Sequence, residues 1–140
     1  MKHFNFNGTE IKVSASFKGE VSNVWGDGMK HFKFIITIVA NDKKTSFTYY
    51  DSFANWQKNK QSLEYDDLKS ALDCFFSDAS CYENATDLAD FLCEFGYGDS
   101  AESLRKGIKA FEGCKRHYKS VVRVFGENWY DIANAINESY

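Results

Sequence analysis

The 140-residue chain contains no proline. A Pro-rich linker separating domains is therefore excluded. No apolar run approaches the ~20 residues that a membrane span requires, so no membrane partner is expected. The start, Met1-Lys2-His3-Phe4-Asn5-Phe6-Asn7-Gly8, has no apolar signal core. Export is not expected, and the cytoplasm of the host cell is the expected location. The four cysteines, Cys74, Cys81, Cys93 and Cys114, are separated by six, eleven and twenty residues. A structural zinc site needs at least one pair two to four residues apart, and His3, His31 and His117 fall at no ligand spacing to the thiols. No metal site is expected, and in a reducing cytosol the thiols stay free. Also missing are Gly-x-Ser-x-Gly, a phosphate-cradling glycine loop and His-Glu-x-x-His. No catalytic residue, cofactor or enzymatic activity is expected from such a sequence.

Aromatic residues are abundant: 13 Phe, 8 Tyr and 3 Trp. This argues for a packed core and against disorder. A chain of this size buries roughly two-thirds of its unfolded surface and is stable without staples. We expect one compact domain over residues 1–140, with a β-sheet part over 1–60 and a helical part over 61–140.

Ile11, Val13, Ala15 and Phe17 alternate with polar neighbours, the period of a half-buried strand. Gly26-Asp27-Gly28 signals a turn. A long strand is predicted over 29–40, with Phe32, Phe34, Ile36 and Ile38 on one face. Its near-continuous apolar run from Phe34 to Ala40 predicts burial on both faces. Asn41-Asp42 opens a hairpin, and 45–50 returns as a Thr- and aromatic-rich third strand. From Tyr65 the period becomes helical. Leu68, Leu72, Phe75, Phe76 and Ala79 share one face, and 80–83 reads as a connector. A second helix carries Leu88, Phe91, Leu92 and Phe95, capped by Asn84 or Thr86 and stopped by Gly96. Asp99 with Glu102 reads as a capping box for a third helix, whose apolar face is Leu104, Ile108, Phe111, Tyr118, Val122 and Phe125. Gly107 and Gly113 mark close helix contacts in that reading. Gly126 ends the third helix, and Asn128 caps a last one with Trp129, Ile132, Ala133 and Ile136 inward. The expected fold is α+β: an N-terminal three-stranded antiparallel meander packed against a C-terminal bundle of about four helices.

Charge is separated along the chain. Residues 64–102 hold eleven carboxylates against the single Lys69, whereas 1–63 and 103–140 are both net positive. Such asymmetry bears on partners and association rates rather than on fold. Asp87, Asp90 and Glu94 follow i, i+3, i+7 spacing on the second helix, and Asp99 and Glu102 continue the negative field past Gly96-Tyr97-Gly98. Carboxylates ~5–6 Å apart on a helix can stand where duplex phosphates would stand. Tyr97, between two glycines, is a candidate aromatic anchor for an interface. Tyr49 or Tyr50, Trp56, Tyr82 and Tyr130 also lie outside clear core positions. The third helix carries the opposite row, Arg105, Lys109, Arg116, Lys119 and Arg123, interrupted by Glu112. Read functionally, that row would contact nucleic acid. A basic helix beside an acidic one also suits mutual pairing, so direct nucleic-acid binding stands second.

The segment Ala71-Leu72-Asp73-Cys74-Phe75-Phe76-Ser77-Asp78-Ala79, followed by Leu88-Ala89-Asp90-Phe91-Leu92-Cys93-Glu94-Phe95-Gly96-Tyr97 and Asp99-Ser100, resembles a group of small proteins carried by phages, prophages and other mobile elements. Members look like this chain in their β-rich start, their aromatic strand ending in Ser (here Phe47 to Ser52) and an acidic Phe-x-x-Phe-Cys-x-Glu-Phe-Gly-Tyr-type helix end. Leu88 replaces the first aromatic, and Gly98 precedes Asp99 where the group has Asp directly. The resemblance spans roughly 47–114. It implies accessory phage-type biology, no known catalysis and, by analogy of class, inhibition of host defence such as an anti-CRISPR or antirestriction role. No functional residue carries over.

The expected function is therefore that of a non-enzymatic, protein-binding inhibitor, acting as monomer or dimer. Its partner would be a bacterial defence protein or ribonucleoprotein complex such as a CRISPR effector. Asp87, Asp90, Glu94, Tyr97, Asp99 and Glu102 would occupy that partner's basic nucleic-acid groove. The alternative is a nucleic-acid-binding accessory protein using Arg105, Lys109, Arg116, Lys119 and Arg123.

Overall fold

The computed structural model describes residues 2–22, 30–52, 63 and 65–138. Strands come first, then helices, giving an α+β chain. The Gly26-Asp27-Gly28 turn signal, Met29 and Trp56 lie outside the described residues. Contacts divide the chain into two compact units, Met1–Leu72 and Asp73–Tyr140, the division falling within one helix.

The first unit holds an antiparallel sheet of four strands in the order β1-β2-β3-β4: β1 (Lys2–Phe6), β2 (Thr9–Ser22), β3 (Lys30–Ala40) and β4 (Lys43–Ser52). Three strands were expected, and β1 is the addition. Phe4 and Phe6 are its inward residues, paired with Ile11 and Thr9. The turn that makes it possible is Asn7-Gly8, at φ 53° and 84°. Two consecutive positive φ values are what a two-residue hairpin of right-handed twist demands, and Asn-Gly adopts them cheaply. Asn41 and Asp42, at φ 52° and 61°, turn β3 into β4 in the same way.

One sheet face is built from Phe4, Phe6, Ile11, Val13, Phe34, Ile36, Ile38 and Phe47, all buried. Burying each large side chain is worth about 1.5–3 kcal/mol relative to leaving it exposed. Phe17 is held beside Phe32 and Phe34, with ring centroids 5.8 and 5.6 Å apart, just before the register shifts at Gly19. The expected burial of β3 on both faces is not found. Lys33, Ile35, Thr37 and Val39 are only half-buried. The cross-strand neighbours of Ile35 and Thr37 are small hydroxyl residues, Ser14, Ser16, Ser46 and Thr48, which cover little, and those of Val39 are Lys12 and Lys44.

Helix α1 (Tyr65–Asn84) runs on through the expected connector at 80–83. Nothing in Ser80-Cys81-Tyr82-Glu83 breaks a helix, and Tyr82 repeats Phe75 at i+7. The second unit continues with α2 (Leu88–Glu94), α3 (Ala101–Phe125), a 3-10 turn (Gly126–Asn128) and α4 (Trp129–Glu138). Among the described residues only α1, α3 and α4 reach ten residues, so about three principal helices are seen there rather than four. Phe75 and Phe76 on α1 meet His117 and Phe125 on α3, with ring centroids 5.0 and 5.1 Å apart. Trp129, Ile132 and Ile136 of α4 are buried. Among the described residues, no helix is long and apolar enough to cross a membrane.

Candidate functional site: the α2–α3 corner

Two caps set the position of the acidic residues, and neither is a residue expected to cap. Asp87, not Asn84 or Thr86, caps α2. Its backbone is extended, and its Oδ1 accepts from Ala89 N at 2.9 Å and Asp90 N at 3.3 Å. A carboxylate here meets the positive end of the helix as well as two orphan N–H groups. Ser100, not Asp99, caps α3, its Oγ accepting from Ser103 N at 3.0 Å. The expected capping box is therefore not formed, and Glu102 instead reaches Lys106 at 3.5 Å.

Between the caps the chain turns through Gly96 at φ 76°. Tyr97 N donates to Leu92 O at 2.8 Å and Gly96 N to Cys93 O at 3.4 Å. That pair of bonds is a Schellman closure, which needs a left-handed residue at Gly96 and brings Tyr97 back toward Leu92. Gly98 N then donates to Ser103 Oγ at 3.2 Å, tying the turn to the first turn of α3.

The corner packs on Gly107. A Cβ there would collide with Leu92 Cδ2 and lie 2.7 Å from the Cβ and Cγ of Tyr97. Gly113, by contrast, would meet only Arg116 Nη2 at 3.8 Å and marks no close contact. Beneath the corner, Ala85, Phe91 and Cys114 form a small buried cluster joined by Cys81, Tyr82, Tyr97, Ala110 and Phe111. Phe91 packs edge-on against Phe111 and parallel to Tyr97, with centroids 5.3 and 6.4 Å apart. The inward stripe of α3 is thus Gly107, Cys114, Val121, Val124 and Phe125. The expected stripe is met in part: Phe125 is buried and Phe111 packs on the cluster, whereas Leu104 and Val122 are 40% and 39% exposed.

The expected partner-binding residues separate accordingly. Asp90, Glu94 and Asp99 are exposed, and none forms an ion pair among the described residues. Asp87 is exposed but bound to the α2 backbone, and Glu102 is engaged with Lys106. Tyr97 is half-buried inside the corner, so its ring serves the fold. The aromatic that remains at the surface is Phe95, 39% exposed and leaning on Phe91 at 4.7 Å. The sequence reading counted Phe95 as core because it completes the i, i+7 spacing from Leu88. The signal against that assignment was its place next to Gly96, where the helix has already ended.

Arg105, Lys109, Arg116, Lys119 and Arg123 are all exposed on α3. No ion pair joins Asp87, Asp90, Glu94 or Asp99 to them among the described residues. The mutual pairing of acidic and basic helices is therefore not what the geometry contains. A shallow open depression of about 560 Å³ runs along the first half of α3 between Glu102, Arg105, Lys106, Ile108, Lys109 and Glu112.

Other reactive groups lie along the α1–α3 seam. His117 Nδ1 and Asp78 Oδ2 are 2.9 Å apart and partly buried. Burial first, then the charge of Asp78, pushes the Cys114 thiol up to about 12 and raises that of Cys81. Cys74 is raised for the same reasons. A nucleophilic cysteine needs the opposite shift.

Comparison with family models, curated proteins and solved structures yields no match, so the site is read from its own chemistry.

Proposed function

We propose that this chain is a non-enzymatic protein-binding inhibitor whose α2–α3 corner docks on a cationic groove. The partner class we assign is a bacterial defence nuclease complex of the CRISPR-effector kind, met in the host cytoplasm. The observation that carries the reading is the outward, unpaired state of Asp90, Glu94 and Asp99. These carboxylates compete with phosphates for Lys and Arg side chains, and Phe95 adds an apolar contact beside them. The resemblance of 47–114 to phage and mobile-element proteins supports the choice of partner. Recognition of this kind accelerates association at low salt and weakens as salt screens it.

The test is protection of phage in cells armed with a CRISPR nuclease. Wild-type chain is expected to raise plaque counts, and Asp90→Lys/Glu94→Lys/Asp99→Lys to lose the effect while retaining its helical circular dichroism. Full protection by the triple variant would remove this surface from the proposal.

A further inference from the structure

The face of α3 turned away from Gly107 carries a second, oppositely charged feature. Arg105, Lys109, Glu112, Arg116, Lys119 and Arg123 recur at spacings of four and three residues. That spacing keeps them on one side of the helix. The buried residues Gly107, Cys114 and Val121 lie about half a turn round from this row. All six row residues are exposed. From Arg105 to Arg123 the row covers about 27 Å of helix axis. Arg105, Lys109, Arg116 and Lys119 make no ion pair among the described residues. A single carboxylate, Glu112, interrupts them.

We infer that this face binds the phosphate backbone of duplex DNA without reading its sequence. Exposed, unpaired cations are the groups whose contact with phosphates releases condensed counterions, and that release is favourable where an ordinary surface salt bridge contributes little. Duplex is favoured over single strand by what the row lacks. Bases of a single strand are held by aromatic rings. The aromatics of this stretch of α3 are turned to internal work: Phe111 packs on Tyr82 and Phe91, and Tyr118 on Tyr82 and Trp129. A row of cations with no ring among them matches charge and leaves bases unread. This surface is distinct from the acidic corner and does not depend on it.

The experiment is fluorescence anisotropy of a labelled mixed-sequence duplex of about 20 bp titrated with the full chain at 50 and 200 mM salt. Four phosphate contacts predict a slope of log K against log salt of about −3.6, which is a loss of roughly a hundredfold between those conditions. Arg116→Glu/Lys119→Glu should weaken binding at 50 mM salt by at least about tenfold and flatten the slope by about half. Arg116→Ala/Lys119→Ala, which removes the charges without adding carboxylates, should weaken it in the same direction with unchanged circular dichroism. No anisotropy rise at 50 mM salt, binding by both double variants as tight as wild type, or tighter binding of single-stranded DNA that the variants leave untouched would overturn the inference.

Discussion

A methyl group added at residue 107 has no room, whereas one added at residue 113 meets almost nothing. Both glycines sit inside α3, where replacing Gly by Ala ordinarily gains about 1 kcal/mol. Gly113→Ala should therefore stabilise the chain by roughly that amount. Gly107→Ala must push back Leu92 and Tyr97. Overpacking of this kind costs about 1–3 kcal/mol, so the sign reverses. Urea unfolding of the two variants decides the matter, and equal shifts in the same direction would refute the close approach of α2 to α3. The thiols give a second test at this scale. Cys93 is exposed, while Cys114 is buried and raised from 9.0 to about 12, which cuts its thiolate fraction at pH 8 by roughly a thousandfold. Mass spectrometry after brief iodoacetamide treatment should find Cys93 carbamidomethylated first. Cys114 should react only when the chain is unfolded.

The elements themselves were legible in part, and the failures have physical causes. The alternation of β2 and β3 and the helical periods after Tyr65 announced the sheet and the helices. β1 was missed although Asn7-Gly8 is a strong hairpin signal, because Phe4 and Phe6 are only two inward residues in a five-residue strand. The stripe of α3 is legible in Phe111 and Phe125 but not at Gly107 and Cys114, because small residues carry little apolar signal. Close helix approach selects Gly107 and Cys114 at the seam and leaves Leu104 and Val122 outside. Caps were displaced by one position or more because Asn84, Thr86 and Asp87, or Asp99 and Ser100, are all competent acceptors, and only backbone geometry chooses among them. This choice is testable. Ser100→Ala should cost about 1 kcal/mol by removing a bonded cap, whereas Asp99→Ala should stay within about 0.5 kcal/mol. Chemical denaturation of both variants would expose an error if Asp99→Ala proved the costlier. At the candidate site, sequence alone located the acidic residues but could not tell an exposed carboxylate from a capping one, nor see that Tyr97 turns inward while Phe95 stays out.

At the scale of the whole molecule the charge pattern becomes a statement about partners. A net charge of −3 conceals an acidic corner at α2–α3 and a basic face along α3. The two features are displayed on one helical unit and do not neutralise each other. We propose that each meets its own complement, the corner a cationic protein groove and the α3 face phosphates. The most direct measurement is target-DNA cleavage by purified CRISPR nuclease complexes titrated with this chain across a salt series. The account predicts inhibition at low salt that weakens as salt rises and is lost in Asp90→Lys/Glu94→Lys/Asp99→Lys. Undiminished inhibition by that variant, or no inhibition of any complex at low salt, would contradict it.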